Sequence, residues 1–186
     1  MLHKTIVHGE AIHTITAAVF GCSMLILYLS SSMTHILKQG KIKNFFFSMD
    51  KIAVYFLIAG TYTPLALVTI GGPLGWTIFG IEWGCALIGT FLILNKPVNF
   101  EKGVNLFFVI SYAVMGWLIL IAIVPVINSM PLLGWLLILI GGAFYTIGIF
   151  FYKKGKFLHH HLVWHLLVIL GTTAHFITIF YYVFPG

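Results

Sequence analysis

Ser31 and His35 stand four residues apart in this sequence, as do His161 and His165. On helices, each pair lies on one face. Three neutral imidazoles, His35, His161 and His165, with a fourth position left open, form the ligand set of a catalytic Zn²⁺ site, where the ion lowers the pKa of its water to about 7. Asp50 could accept a proton from that water or orient a ligand, and Ser31, one turn from His35, could hydrogen-bond the water or an oxyanion. Each residue also has a plainer reading. His161 follows His159 and His160 beside lysines, as an interfacial segment would. Asp50 ahead of a helix suits an N-cap, and Ser31 in a serine run can bond back to its own helix.

The elements that must position these residues are membrane helices. The chain has 186 residues, of which 60% are hydrophobic and 8% charged, with a mean hydropathy of +1.06. A chain this short cannot bury so much apolar surface in water, and disorder is excluded by the same composition. The long apolar runs point to helices rather than a barrel. Six stretches qualify as spans: Ile12 to Thr34, Ile52 to Ile70, Leu74 to Leu94, Val104 to Ile127, Leu132 to Tyr152 and Leu162 to Phe184. The fold expected is an all-α polytopic transmembrane helix bundle, with residues 1–186 as a single transmembrane domain. Lipid is its surrounding partner. A second copy of the chain is the other candidate cover for its apolar faces.

All ten basic residues are lysines. Lys38, Lys41 and Lys43, with Lys51 at the boundary, fall between spans one and two; Lys96 and Lys102 between three and four; Lys153, Lys154 and Lys156 between five and six. The two other connectors carry none. By the positive-inside rule the lysine-bearing loops are cytoplasmic and both termini lie outside, with only Lys4 dissenting. This is a topology signal and not a nucleic-acid footprint, so no nucleic-acid partner is expected. The same orientation puts Ser31, His35, Asp50, His161 and His165 in one layer at the cytoplasmic side.

Other features are weaker. Pro64 should kink span two. Gly80 and Gly84 form a GxxxG pair that would let a neighbouring helix approach closely. Cys22 and Cys85 read as packing residues. His175 lies about 15 Å beyond His165 along a helix, too far to share a metal, and fits a hydrogen bond into the bundle. Glu82 should face inward, either protonated or paired, with a proton relay as the functional alternative.

Taken in order, Ser31-Ser-Met-Thr-His35, Asp50 before Leu57-Ile-Ala-Gly-Thr-Tyr-Thr-Pro64, Gly141-Gly-Ala-Phe-Tyr145 with Tyr152, and His161-Leu-Val-Trp-His165 with His175 resemble the hemolysin III family. That family is the bacterial branch related to the progestin and adiponectin Q receptors. The resemblance implies a bacterial cytoplasmic membrane and a zinc ion held by His35, His161 and His165, with Asp50 and Ser31 beside its water. The wider superfamily includes alkaline ceramidases, so hydrolysis of a lipid amide or ester follows by analogy, although fold alone does not fix the reaction. The family plan has seven spans with the N-terminus inside. Six spans with both termini outside correspond to that plan without its first helix, through either a truncated start or a natural short form.

Three other functions use the same residues. A receptor or regulator with structural zinc predicts a closed metal site and no lipid-sized cavity. A haem carrier would use His35 and one span-six histidine as axial ligands, but His161 and His165 on one face suit a single metal better. A pore is weakest, since no polar stripe runs the length of a span.

Overall fold

The computed structural model describes residues 10–95, 106–153 and 159–184, which are helical almost throughout and contain no strand. Six helices are long and apolar enough to cross a membrane. Helix α1 is Ala11–Ile36; α2 is Lys41–Pro64, continued by the π-helical turn Leu65–Ile70; α3 is Gly72–Asn95. Span four is composite: α4 (Leu106–Gly116), a 3₁₀ segment (Leu118–Ala122) and α5 (Ile123–Ser129). Spans five and six are α6 (Leu132–Lys153) and α7 (His160–Thr178), the latter ending in the π turn Ile179–Val183.

Span two is the hub. It is buried over 67% of its most apolar stretch, whereas the other spans reach only 22–33%. Small residues on α2 explain the close packing: a side chain at Gly60 would run into Ser23 of α1, and such backbone approach is what helix pairs in lipid rely on. The outer spans turn Leu87, Ile88, Phe91 and Ile121 outward. Lipid tails are as apolar as these side chains, so their exposure carries no penalty in a bilayer.

Several expectations change in detail. Span two starts at Lys41 rather than Ile52. Nothing between Lys41 and Met49 breaks a helix, and lysine stems can lie along apolar surface with their heads in water. Lys41, Lys43 and Lys51 are therefore helical rather than in a connector, and Asp50 sits inside α2, which removes its N-cap reading. Lys4, Lys96, Lys102, Lys154 and Lys156 lie outside the described residues.

The kink expected at Pro64 takes the form of a switch from α to π geometry, which accommodates the missing proline N–H. Gly71 and Gly72, at φ 64° and 55°, then turn the chain into α3 with a backbone that only glycine adopts readily. The GxxxG expectation fails: Cβ atoms at Gly80 or Gly84 would meet nothing within 4 Å. The close contacts fall instead at Gly75, against the Ala66 carbonyl, and at Gly89, against the Tyr55 ring. These glycines belong to the buried stripe Gly75, Ile78, Glu82, Ala86, Gly89 and Ile93. Gly80 and Gly84 lie off that stripe. Cys22 is exposed at the bundle surface, contrary to the packing expectation, and Cys85 is half-buried; both are free.

The break in span four has a local cause. Pro125 is tolerated in the first turn of α5 but cannot sit in the interior of a longer helix. The joint ahead of it is closed by Tyr62 from α2, whose hydroxyl donates to the Gly116 carbonyl (2.9 Å) and accepts from the Ile119 N–H (2.6 Å).

Candidate metal centre

His35 closes the last turn of α1, and His161 and His165 occupy the first two turns of α7. His159, in the left-handed region at φ 75°, turns the chain into α7. The predicted i,i+4 spacing therefore does put His161 and His165 on one face, and α1 brings His35 to meet them. The three Nε2 atoms form a triangle with edges of 3.1 Å (His35 to His165), 3.1 Å (His161 to His165) and 3.4 Å (His35 to His161).

These edges can be tested against the chemistry of the donors. Each Nε2 carries either a proton or a lone pair. Among three mutually adjacent nitrogens at least two must be alike, so one edge sets proton against proton or lone pair against lone pair. A cation that receives three lone pairs removes the conflict. In a tetrahedral zinc site with Zn–N bonds of about 2.0–2.1 Å, the ligand nitrogens are separated by roughly 3.3 Å. The triangle has that size, and the donor set fits a divalent metal. Among the described residues these three histidines are the group of potential ligands able to hold one ion. His35 and His161 are exposed and His165 is half-buried, which leaves the centre accessible from outside.

Asp50 reaches the same place from α2, close enough for its charge to act on His165. Its Oδ2 accepts a hydrogen bond from the Lys51 ammonium at 2.9 Å, in a pair whose side chains are only 14% and 12% exposed. Nothing in the spacing of the sequence pointed to this partner. Lys51 is held in turn: its carbonyl accepts from the Tyr112 hydroxyl (2.9 Å), and its ammonium lies over the Phe47 ring (4.9 Å) and near the Tyr152 ring (5.7 Å). Tyr152 of α6 also stands beside His161 (6.5 Å) and Trp164 (5.2 Å). Five spans, one, two, four, five and six, thus meet around Lys51 and the trio.

Ser31 is half-buried one turn before His35. The back-bonding expected of its serine run is done by its neighbours Ser30, to Ile26 and Leu27, and Thr34, to Ser30. No hydrogen bond joins Ser31 to the trio among the described residues. His175 is remote from the centre, as expected, and its Nε2 meets the Ile138 carbonyl at 3.1 Å beside the Tyr145 ring. Glu82 faces inward, and neither of its oxygens has a hydrogen-bond partner among the described residues.

Comparison with known proteins supplies the family. The profile of the family described as haemolysin-III related matches residues 1–176. Hemolysin-3 of Bacillus cereus is 38% identical over 178 residues, covering 96% of this chain and 80% of the relative. The hemolysin-3 homolog of Bacillus subtilis is 39% identical, covering 94% and 80%. The human monocyte to macrophage differentiation factor is more distant, at 28% identity over 99% of this chain and 76% of its own length. No solved structure matches. With its family profile spanning nearly the whole sequence, this integral membrane protein belongs to the haemolysin-III-related family.

Proposed function

We propose that the chain is a zinc-dependent hydrolase of a lipid amide or ester, with its metal centre at the cytoplasmic face and both termini outside. The observation that carries this reading is the Nε2 triangle, open on one side and next to a carboxylate. His35, His161 and His165 would hold the ion through these nitrogens. When bound, zinc supplies a Lewis acid that polarises an acyl carbonyl and acidifies water near neutral pH.

The chain's own residues then divide the work. Asp50 accepts the proton of the attacking water and returns one to the leaving amine or alcohol, as a general base and acid. Lys51 fixes one carboxylate oxygen of Asp50, so Oδ1 is the oxygen left to take the proton. The Ser31 hydroxyl, uncommitted in its own helix, is available to the substrate oxygen. The exposed apolar flanks of α1 and α7 leave the acyl chain in the bilayer, so no enclosed lipid cavity is required.

Release of fatty acid from an N-acyl or O-acyl lipid in vesicles containing the purified chain tests this. Asp50→Asn should keep most of the zinc and lose at least tenfold in turnover. Unchanged turnover in Asp50→Asn would return the acid to a structural role. No release by wild type that is loaded with zinc, over both lipid classes, would contradict hydrolysis.

One observation favours a second reading, a receptor or regulator with structural zinc. Among the described residues, a cavity lined by Tyr62, Trp117 and His175 measures about 20 Å³, which has room for about one water and not for an acyl chain. Retained zinc with no hydrolysis would support that reading.

A further inference from the structure

Among the described lysines, Lys51 is one that topology alone does not explain. A lysine that marks a cytoplasmic loop needs only water, and Lys38 and Lys41 are exposed to it, whereas the Lys51 side chain is 12% exposed. Lysines are rarely buried without a partner. Three elements keep this one in place. Phe47, one turn back on α2, turns a ring face to the ammonium (4.9 Å), the Tyr152 ring of α6 stands near it (5.7 Å), and the Tyr112 hydroxyl of α4 donates to the Lys51 carbonyl (2.9 Å). The ammonium so held donates to Asp50 Oδ2 at 2.9 Å.

The Tyr152 ring also stands beside His161 (6.5 Å), so one tyrosine neighbours both the ion pair and the trio. Yet the potential ligand atoms that lie within 4.8 Å of one another belong to the three histidines, and Asp50 is not among them. A carboxylate oxygen is a good zinc ligand, and a trio of histidines joined by an aspartate would be a closed site of the structural kind. A catalytic site keeps its fourth position for water. The two oxygens of a carboxylate share one rigid plane, so fixing Oδ2 also fixes where Oδ1 stands.

We propose that Lys51 is a positioning residue, which holds Asp50 outside the ligand shell of the metal and so keeps the fourth position open. The proposal rests on the reading of the trio as a zinc site, and it names what separates the open centre of a hydrolase from the closed centre of a receptor. In Lys51→Met an aliphatic stem still covers Phe47, but the carboxylate has lost its ammonium and takes the metal as counter-charge instead.

Zinc affinity, read by chelator competition on the full chain in mild detergent, tests this without any substrate. Lys51→Met should bind zinc tighter than wild type and hydrolyse lipid more slowly, each by roughly tenfold or more. Lys51→Met/Asp50→Asn should return to the wild-type affinity, and Lys51→Arg, which keeps a cation and its donors, should stay there. Lost packing alone would weaken binding, so the sign of the change separates positioning from a structural role. Cobalt-loaded wild type gives a reading that needs no variant: its visible absorption should shift on adding acetohydroxamate, which occupies an open position, and Lys51→Met should show no such shift. The proposal is overturned if wild type binds zinc and folded Lys51→Met binds it no tighter, if the tightening persists without Asp50, or if cobalt-loaded wild type ignores the hydroxamate. No zinc in wild type would overturn the metal reading and this restraint with it. Tighter zinc in Lys51→Met with no hydrolysis by wild type would remove the hydrolase and leave the restraint standing.

Discussion

The histidine trio and Glu82 are both polar sites in apolar helices, and the bundle treats them in opposite ways. At the ends of α1 and α7 three imidazoles are brought within 3.4 Å of one another, partly exposed, in an arrangement that their protons alone cannot satisfy. At the centre a single carboxyl is fully enclosed and makes no hydrogen bond among the described residues. The first arrangement calls for a cation that three lone pairs can share, and the second for the smallest cation, a proton on one oxygen. Burial decides between them: an accessible cluster can exchange an ion with solvent, whereas an enclosed acid can only be neutralised in place.

Charge substitutions break the comparison most strongly. Glu82→Lys places a buried ammonium where the described residues offer no counter-charge, and should destabilise the bundle by about 3–5 kcal/mol, read as loss of monodisperse protein on size exclusion. Glu82→Gln, uncharged and of the same shape, should leave the elution profile unchanged. His35→Gln at the accessible end should also elute normally, because water reaches it.

The packing that encloses Glu82 gives the next largest effect. Gly89→Val and Gly75→Val drive a side chain into Tyr55 and the Ala66 carbonyl, and each should cost about 1–3 kcal/mol in thermal unfolding. Gly80→Val and Gly84→Val meet open space and should shift the midpoint little.

Acid should separate the two sites as well. Histidine ligates in its neutral form, and free imidazole takes up a proton below about pH 6.5. Zinc affinity of the trio should therefore be highest at neutral and alkaline pH and fall on acidification once the imidazoles take up protons, by roughly tenfold per unit for each histidine that must lose a proton. Titration with a competing chelator at a series of pH values checks this. Affinity that is flat over the interval would mean the imidazoles are not the ligands.

The smallest effect is expected at His175. His175→Ala removes one hydrogen bond to the Ile138 carbonyl, worth about 0.5–1.5 kcal/mol of stability, and should leave zinc content intact. Calorimetry and metal analysis on one preparation measure both.

Much of the architecture was legible because apolar run length and helix length are set by the same bilayer. The i,i+4 pairs on α1 and α7 were legible too, since helical periodicity alone puts such residues on one face. What escaped has physical causes. The start of α2 lies beyond the apolar run, where helix formation continues through polar residues that hydropathy excludes. The GxxxG pair misled because the motif says nothing about which face the neighbour takes; the buried stripe through Gly75, Glu82 and Gly89 does. The joint in span four is hidden in an apolar stretch, though Pro125 marked where a continuous helix could not run. The ion pair of Asp50 with Lys51 was missed because neighbours in sequence point to different sides of an ideal helix, and only a long, flexible lysine folds back.

The central claim is that the three Nε2 atoms form a metal site. Elemental analysis of the purified chain after zinc loading and dialysis tests it most directly, with His35→Ala and His165→Ala prepared alongside. One zinc per chain in the wild type, with most of it lost in both variants, is the result predicted. Wild-type occupancy retained in either variant, or no zinc in the wild type, would contradict the account and leave the triangle as an interfacial histidine cluster.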